Sequence, residues 1–395
     1  MDADRLISAR SRSIDASGIR KAFDLARTIK NPINLSIGQP DFPVPERLKR
    51  AAINAIESDQ NGYTVTQGIE PLRERIARHL AWDLGWKGAG DQGGPGLMIS
   101  SGTSGSLLLA MLALLDPGDE IVIPDPYFVM YPHVAKMCGG KAVLCDTYPD
   151  FRMTAERVEP LINERTKAVL FNSPSNPCGT VPSRRDCEEL LDLCRRKGVL
   201  LISDEIYDEF AYPEAMTDTS KAEPKAPRIP SPARLDGASE DVLLIRGFGK
   251  TFGCTGWRMG YAAGPKGLIE QMLKLQQYTF VCAPSIAQWG CIDALDIDMS
   301  EHIAEYKRRR DMVIEKLGAH TEIAVPGGAF YAFPKVPDRL GLTATEFIER
   351  AIKERVIIIP GSIFSARDTH FRVSYATRPE MLEEGIDILA RLLAG

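Results

Sequence analysis

The sequence predicts an α/β protein. A large domain carries a mostly parallel seven-stranded sheet between helices, and a smaller α+β domain accompanies it. Three observations predict this. Seven short apolar runs, rich in Val, Ile and Leu, are bounded by Gly, Pro, Asn or Asp. Their apolar character is continuous rather than alternating, as strands covered on both faces require. Amphipathic stretches separate several of them, and strand–helix alternation of that kind builds right-handed crossovers. The C-terminal part then changes grammar, with shorter strands between longer helices.

The seven runs are Gly96–Gly102, Glu120–Pro126, Lys141–Tyr148, Lys167–Ser173, Val199–Glu205, Val242–Phe248 and Met259–Gly264. Helices are predicted over Gly105–Leu115 and Pro265–Gln277. A third starts at Ser183, an N-cap with Asp186 three residues on, a short capping box. Cys187, Leu190, Leu191 and Cys194 mark its apolar face, and Gly198 ends it. Pro213 to Ser239 breaks the pattern with prolines at 213, 224, 227, 230 and 232. It reads as a surface excursion between two sheet elements. Beyond it, a single long helix is predicted over Ser285–Leu317. Short strands follow at Phe330–Phe333, Val356–Pro360 and Phe371–Ala376, with helices at Thr343–Glu354 and Pro379–Leu393.

Composition excludes several classes. The 395 residues are 44 % apolar and 26 % charged, with a net charge of −5. A disordered chain would have fewer large apolar residues. A nucleic-acid binder held by charge would be basic. A membrane span needs about 18 consecutive apolar residues, and runs such as Ser106–Leu115 are too short. The eight cysteines form no CxxC pair, so no zinc ribbon or thioredoxin motif is supported. Met1 to Ile14 has no h-region, and a cytoplasmic protein with free thiols is expected.

Ligands of an open α/β sheet bind at the carboxyl ends of its strands. The first run there enters Ser100-Ser101-Gly102-Thr103-Ser104-Gly105 and a helix, a turn suited to a phosphate. The fifth ends in Ser203-Asp204-Glu205-Ile206-Tyr207. Asp204 reads equally as a capping acid or as a carboxylate held against a cationic ring nitrogen, and one helical turn would bring Tyr207 to its face. After the fourth, Asn172-Ser173-Pro174-Ser175-Asn176-Pro177 is a rigid turn that could aim Asn176 at the same crevice. The sixth leads to Lys250 among Gly249, Phe252, Thr255 and Trp257. A partly buried lysine loses its charge readily and becomes nucleophilic. Neither a P-loop nor a dinucleotide fingerprint fits, because Leu244 and Phe252 occupy required glycine positions.

Together these segments resemble the class I/II aminotransferases, pyridoxal-5′-phosphate (PLP) enzymes of fold type I. The match runs from Asn34 to Ala376. Its pieces occur in family order: Ser36-Ile37-Gly38-Gln39-Pro40-Asp41-Phe42, Gly62-Tyr63-Thr64, Asp116-Pro117-Gly118-Asp119-Glu120, Ser175-Asn176-Pro177-Cys178-Gly179, Ser203–Tyr207, Lys250-Thr251 with Gly256-Trp257-Arg258, and Phe371-Arg372-Val373-Ser374-Tyr375-Ala376.

The resemblance implies a role for each site residue. Lys250 would form the Schiff base with PLP and shuttle the proton. Asp204 would pair with the ring nitrogen, and Tyr207 and Asn176 with the ring 3′-oxygen. Thr103, Ser104 and Arg258 would hold the phosphate, and Phe128 would lie over the ring. Tyr63 would reach the phosphate of the neighbouring subunit in a homodimer with shared sites. Arg372, with Gly38 and Asn176 beside it, would clamp the substrate carboxylate. The implied reaction passes an amino group from an L-amino acid to a 2-oxo acid by a ping-pong route. A C–S β-lyase or another PLP enzyme reacting at Cα is the alternative, and a non-catalytic PLP-binding module a more distant one. No metal, nucleic acid or membrane is expected. The domains would be 1–45 (arm and part of the small domain), 46–290 (large) and 291–395 (small). Ser104 stands where aspartate-specific bacterial relatives often carry Lys, and Gly249 where Ser is common.

Overall fold

The computed structural model describes residues 3–15, 18, 27 and 29–395. The expected N-terminal arm therefore lies partly outside the described residues. Its last portion forms β1 (Ile33–Asn34). All seven predicted runs become strands: β2 (Gly96–Ser101), β3 (Glu120–Asp125), β4 (Lys141–Asp146), β5 (Thr166–Asn172) and β6 (Leu200–Asp204), then, beyond the short β7 (Asp218–Thr219) and β8 (Pro227–Arg228), β9 (Val242–Gly247) and β10 (Met259–Gly264). They form one sheet in the order β2-β10-β9-β6-β5-β3-β4. Every neighbouring pair from β9 to β4 is parallel, whereas β10 runs antiparallel to both β2 and β9. The reason is local. No long helix separates β9 from β10, so the chain reverses where a parallel pairing would need a crossover.

Helices cover both faces. Gly102–Leu114, Met130–Met137 and Lys266–Thr279 pack one side around Leu107, Met111, Ile123 and Ile245. Glu70–Leu84 and Arg184–Lys197 pack the other around Leu80, Val122, Leu190 and Leu244. The Ser183 capping box and the left-handed Gly198 form as predicted. The helices Glu46–Glu57, Glu70–Leu84 and Met130–Met137 lie where the sequence reading places no element.

Two sequence expectations need correction. The long helix over Ser285–Leu317 is broken into Ser285–Gly290 and Ser300–Gly318. Asp298 accepts a hydrogen bond from the Ser300 N–H at 2.9 Å and starts a new helix. Such local side-chain bonds compete with helix continuation. The 213–239 excursion is also not simply surface. Arg228, Ile229, Ser231, Pro232, Ala233 and Arg234 are buried.

In the C-terminal part, β11 (Tyr331–Ala332), β12 (Val356–Ile357), β13 (Ile359–Pro360) and β14 (Phe371–Ser374) appear. The predicted strand Val356–Pro360 is thus two. β12 pairs in parallel with β1, and β13 pairs with β14, which also takes β11. A separate core around Phe330, Phe347, Val356 and Leu389 includes Ile33 and Leu35, so both ends of the chain meet there. Among the described residues no helix is long and apolar enough to cross a membrane. All eight cysteines are free.

Candidate active site

A cavity of about 620 Å³ opens at the carboxyl edge of the sheet. Its walls include Gly38, Thr103, Ser104, Phe128, Asn176, Asp204, Tyr207, Lys250, Arg258 and Arg372. Ten of the eleven residues singled out from sequence therefore meet in one space. Tyr63 does not. It stands 88 % exposed, beside Val65 and Trp289 in a separate cleft.

One end of the cavity is built by β2 and the helix that begins at Gly102. Thr103 and Ser104 occupy the first turn, where backbone N–H groups lack helical partners. Gly102 has φ +70°, and a Cβ there would lie 2.7 Å from Arg258 Nη2. Only glycine lets the guanidinium close on this turn. Arg258 itself adopts left-handed backbone, φ +53°, and donates to the Thr255 carbonyl at 3.2 Å. It has no carboxylate partner among the described residues.

Asp204 ends β6 at the cavity floor. Tyr131 Oη donates to its Oδ2 at 2.8 Å, and the Ile206 N–H to its Oδ1 at 3.3 Å. Burial is the main influence and pushes the carboxyl up to about 6, against the lowering effect of these bonds. No cation pairs with it among the described residues. Tyr207 lies on the same side and shares a 3.1 Å hydrogen bond with Tyr331. Phe128 meets Tyr131 edge to face with ring centroids 5.6 Å apart.

Lys250 follows β9. Its Nζ donates to the Gly38 carbonyl and sits 5.8 Å from the centre of the Phe330 ring. Burial lowers the amine to about 8, and the charges of Arg372 and Arg258 add to this. Arg372, on β14, is 1 % exposed. Its Nη1 donates to Asn176 Oδ1 at 3.0 Å and its Nη2 to the Ser36 carbonyl at 2.8 Å. The guanidinium lies 4.4 Å from the Tyr331 ring centre and 4.7 Å from that of Phe364. Nε has no partner, and no carboxylate pairs with Arg372 among the described residues. A buried cation without a counter-ion is costly unless an anionic ligand supplies one.

Behind the floor lies a lattice of ion pairs. Asp83 is fully buried and accepts from Arg228 at 2.9 Å, Arg234 at 2.7 Å and Arg246 at 2.8 Å. Burial opposes its ionisation, yet the three guanidiniums hold it well below the usual carboxylate range. Arg246 also pairs with Glu205 at 2.8 Å and Asp208 at 3.0 Å. Arg228 grips Glu209 with two bonds of 2.6 and 2.8 Å. The lattice thus fixes the turn that presents Asp204 and Tyr207. Sequence reasoning missed it, along with Tyr131. The buried arginines of the Pro-rich excursion gave no periodic signal.

The donor set fits PLP. A helix-start cradle suits a phosphate, a buried carboxylate suits a cationic ring nitrogen, and a depressed lysine suits an aldehyde. Comparisons with known proteins agree. The family described as aminotransferase class I and II matches residues 30–389. An aromatic-amino-acid aminotransferase of Thermococcus litoralis is 36 % identical, over 98 % of each chain. An aspartate aminotransferase of Pyrococcus abyssi is also 36 % identical, again over 98 % of each. Among solved structures, the Thermus thermophilus aspartate aminotransferase with maleate gives a TM-score of 0.87 at 32 % identity, covering 98 % of this chain and 99 % of that one. The Pyrococcus horikoshii aromatic aminotransferase gives 0.85 at 35 %, covering 94 % and 98 %. With this fold, this cavity and matches along nearly its whole length, the chain belongs to the class I and II aminotransferases, PLP-dependent enzymes of fold type I.

Proposed function

We propose that this cavity moves an amino group from an L-amino acid to a 2-oxo acid in two half-reactions, with each charged group serving one partner. The observation that carries the reading is Arg372, a buried guanidinium with a free Nε and no counter-ion among the described residues, facing the cavity that holds Lys250. A substrate α-carboxylate supplies the missing anion, and the guanidinium fork orients it. Gly38 leaves room there, since a Cβ would lie 2.8 Å from Tyr331 Oη.

When bound, PLP supplies a cationic aromatic ring that accepts the electron pair left when the substrate Cα loses its proton. The chain's own residues do the rest. Asp204 keeps the ring nitrogen protonated. Tyr207 and Asn176 donate toward the ring oxygen. Arg258, Thr103, Ser104 and the helix start would hold the phosphate, and Phe128 would lie against the ring. Lys250, unprotonated in a good fraction of molecules near pH 8, is nucleophilic toward the aldehyde and later basic toward the Cα proton.

Two tests bear on this. Lys250→Ala should lose the near-visible absorption of lysine-bound PLP, and retention of that band would refute the lysine's role. Wild type given an amino acid and no acceptor should release one 2-oxo acid per site and stop. Continuous release of pyruvate and ammonia would instead identify a β-lyase.

The relatives are named for aspartate and for aromatic amino acids, and one was solved with maleate, a dicarboxylate. We also read the active unit as a homodimer that shares its sites. Exposed Tyr63, Val65, Tyr278 and Val281 support this, as large apolar groups that ask for cover. Tyr63 would then reach the partner's phosphate. Mixing Lys250→Ala subunits with Tyr63→Ala subunits should restore activity through hybrid dimers.

A further inference from the structure

Tyr331 lines the cavity but has no part in the reaction as described. It is 1 % exposed. Its place follows from the strands. β11 and β14 pair antiparallel, with Tyr331 opposite Ser374. Residues two apart on a strand share a face, so Tyr331 and Arg372 are diagonal neighbours on one face of the pair. The Arg372 guanidinium accordingly lies over the Tyr331 ring, 4.4 Å from its centre, in the range of a cation–aromatic attraction. The phenol oxygen meets a residue from the other core. Its Oη is 3.1 Å from Tyr207 Oη, and the two rings meet edge to face. Two backbone features bring Tyr331 here. Ala329, two residues before β11, is left-handed with φ +56°, a costly conformation for a residue with a Cβ. Gly179 ends the Asn176 turn, and a Cβ there would lie 2.7 Å from the Tyr331 carbonyl oxygen. One side chain therefore touches both the cation assigned to the α-carboxylate and the phenol assigned to the ring oxygen.

We propose that Tyr331 is a positioning residue of the reaction, with its ring serving Arg372 and its hydroxyl serving Tyr207. The proposal rests on the aminotransferase reading above, in which Tyr207 donates to the ring oxygen. A phenol carries one hydrogen. With the Tyr207 hydrogen directed at the ring oxygen, the hydrogen between the two phenols comes from Tyr331. Tyr207 then accepts and donates at once, and linked hydrogen bonds polarise one another. The Tyr331 hydroxyl thus strengthens the bond that Tyr207 makes. A stronger donor at the ring oxygen draws electron density from it, and the Lys250 nitrogen, once joined to PLP, holds its proton less tightly. The Tyr331 ring has a separate effect. It backs the guanidinium with a face that neither takes up its N–H groups nor neutralises its charge, so both remain for a carboxylate.

The test uses PLP-loaded wild type, Tyr331→Phe, Tyr331→Leu, Tyr207→Phe and the Tyr207→Phe, Tyr331→Phe double variant. Two quantities are read besides turnover. One is the pH midpoint of the lysine-bound PLP absorption. The other is the Kd of propionate, an unreactive carboxylate, from the change it causes in that absorption. Tyr331→Phe keeps the ring and should raise the midpoint by about half a unit, part of one neutral hydrogen bond, with propionate affinity unchanged. Tyr331→Leu should raise it equally and weaken propionate binding roughly fivefold, as loss of a buried cation–aromatic contact implies. The double variant should match Tyr207→Phe alone, because the hydroxyl acts through Tyr207. Four results overturn the proposal: an unmoved midpoint in Tyr331→Phe, additive shifts in the double variant, unchanged propionate affinity in Tyr331→Leu, or equal loss of that affinity in both Tyr331 variants with a lowered melting temperature, which would mark Tyr331 as packing alone. The conservative Tyr331→Phe and the double variant decide the role of the hydroxyl even where Tyr331→Leu folds poorly. Failure of the aminotransferase reading looks different. There Tyr207→Phe leaves the midpoint at its wild-type value, or wild type shows no lysine-bound absorption at all.

Discussion

Asp204 offers the sharpest quantitative test. The chain's own groups raise its carboxyl from 3.8 to about 6. Burial dominates, and the bonds from Tyr131 and Ile206 recover part of the cost. At 1.36 kcal/mol per unit, an ionised Asp204 costs the protein about 3 kcal/mol without a cationic partner. The sign follows from linkage. A carboxyl raised on folding favours the folded state below its unfolded value, and this advantage is lost as pH rises through about 6. A cationic ring nitrogen would reverse the penalty. The perturbation is removal of PLP, and the assay is infrared titration of the protonated carboxyl band that Asp204→Asn abolishes. In PLP-free protein the band should titrate near 6. With PLP bound it should be absent even at pH 5, because the ring holds Asp204 ionised. Tyr131→Phe removes a bond to a charged group worth about 1.5–3 kcal/mol, which moves the midpoint up by about one to two units. A PLP-free midpoint below 5, or one indifferent to PLP, would refute the reasoning.

Other expectations follow from the same geometry. The rate of PLP recapture by stripped enzyme should rise roughly tenfold per pH unit and level off near 8, where burial has brought Lys250; a plateau above 10 would contradict this. Arg372→Lys should cost about 2 kcal/mol, near thirtyfold in kcat/KM for every amino acid, while PLP absorption stays unchanged. Arg246→Met removes the cation shared by Asp83, Glu205 and Asp208, and should destabilise the fold by about 3–5 kcal/mol in denaturant unfolding. A loss under about 1 kcal/mol would show the lattice to be dispensable.

How much of this was legible in the sequence varied with the range of the interaction. Buried strands announce themselves locally, so Leu200–Asp204 and its terminal carboxylate could be read directly. Lys250, Arg258 and Arg372 were legible as an ordered set of motifs. Tyr131 was not. It sits in a short helix beyond β3, and its partner lies 73 residues away. Asp83 is harder still, because a charged residue near the end of an amphipathic helix reads as solvated. Its three arginines come from a Pro-rich excursion and from a strand interior, and only the sheet order brings them together. The broken helix after Ser285 failed for the opposite reason. The apolar period continues across Ile292, Leu295 and Met299, while the chain turns at Asp298, whose side chain accepts from the Ser300 N–H.

The strand geometry at β6 joins the two halves of the site. Successive residues of a strand point to opposite faces. Ser203 and Glu205 therefore face away from the cavity, where Ser203 donates to Glu205 Oε1 and Arg246 neutralises Glu205. Asp204, between them, faces the cavity with only a phenol and a backbone N–H for company. Two adjacent carboxylates thus meet opposite fates. One is compensated by the protein and becomes a brace. The other stays uncompensated, and so retains its full attraction for a cation brought by a ligand. A one-residue shift in register would exchange them. The brace would then lie in the cavity with its charge already spent, and the ring nitrogen would find no carboxylate to hold its proton.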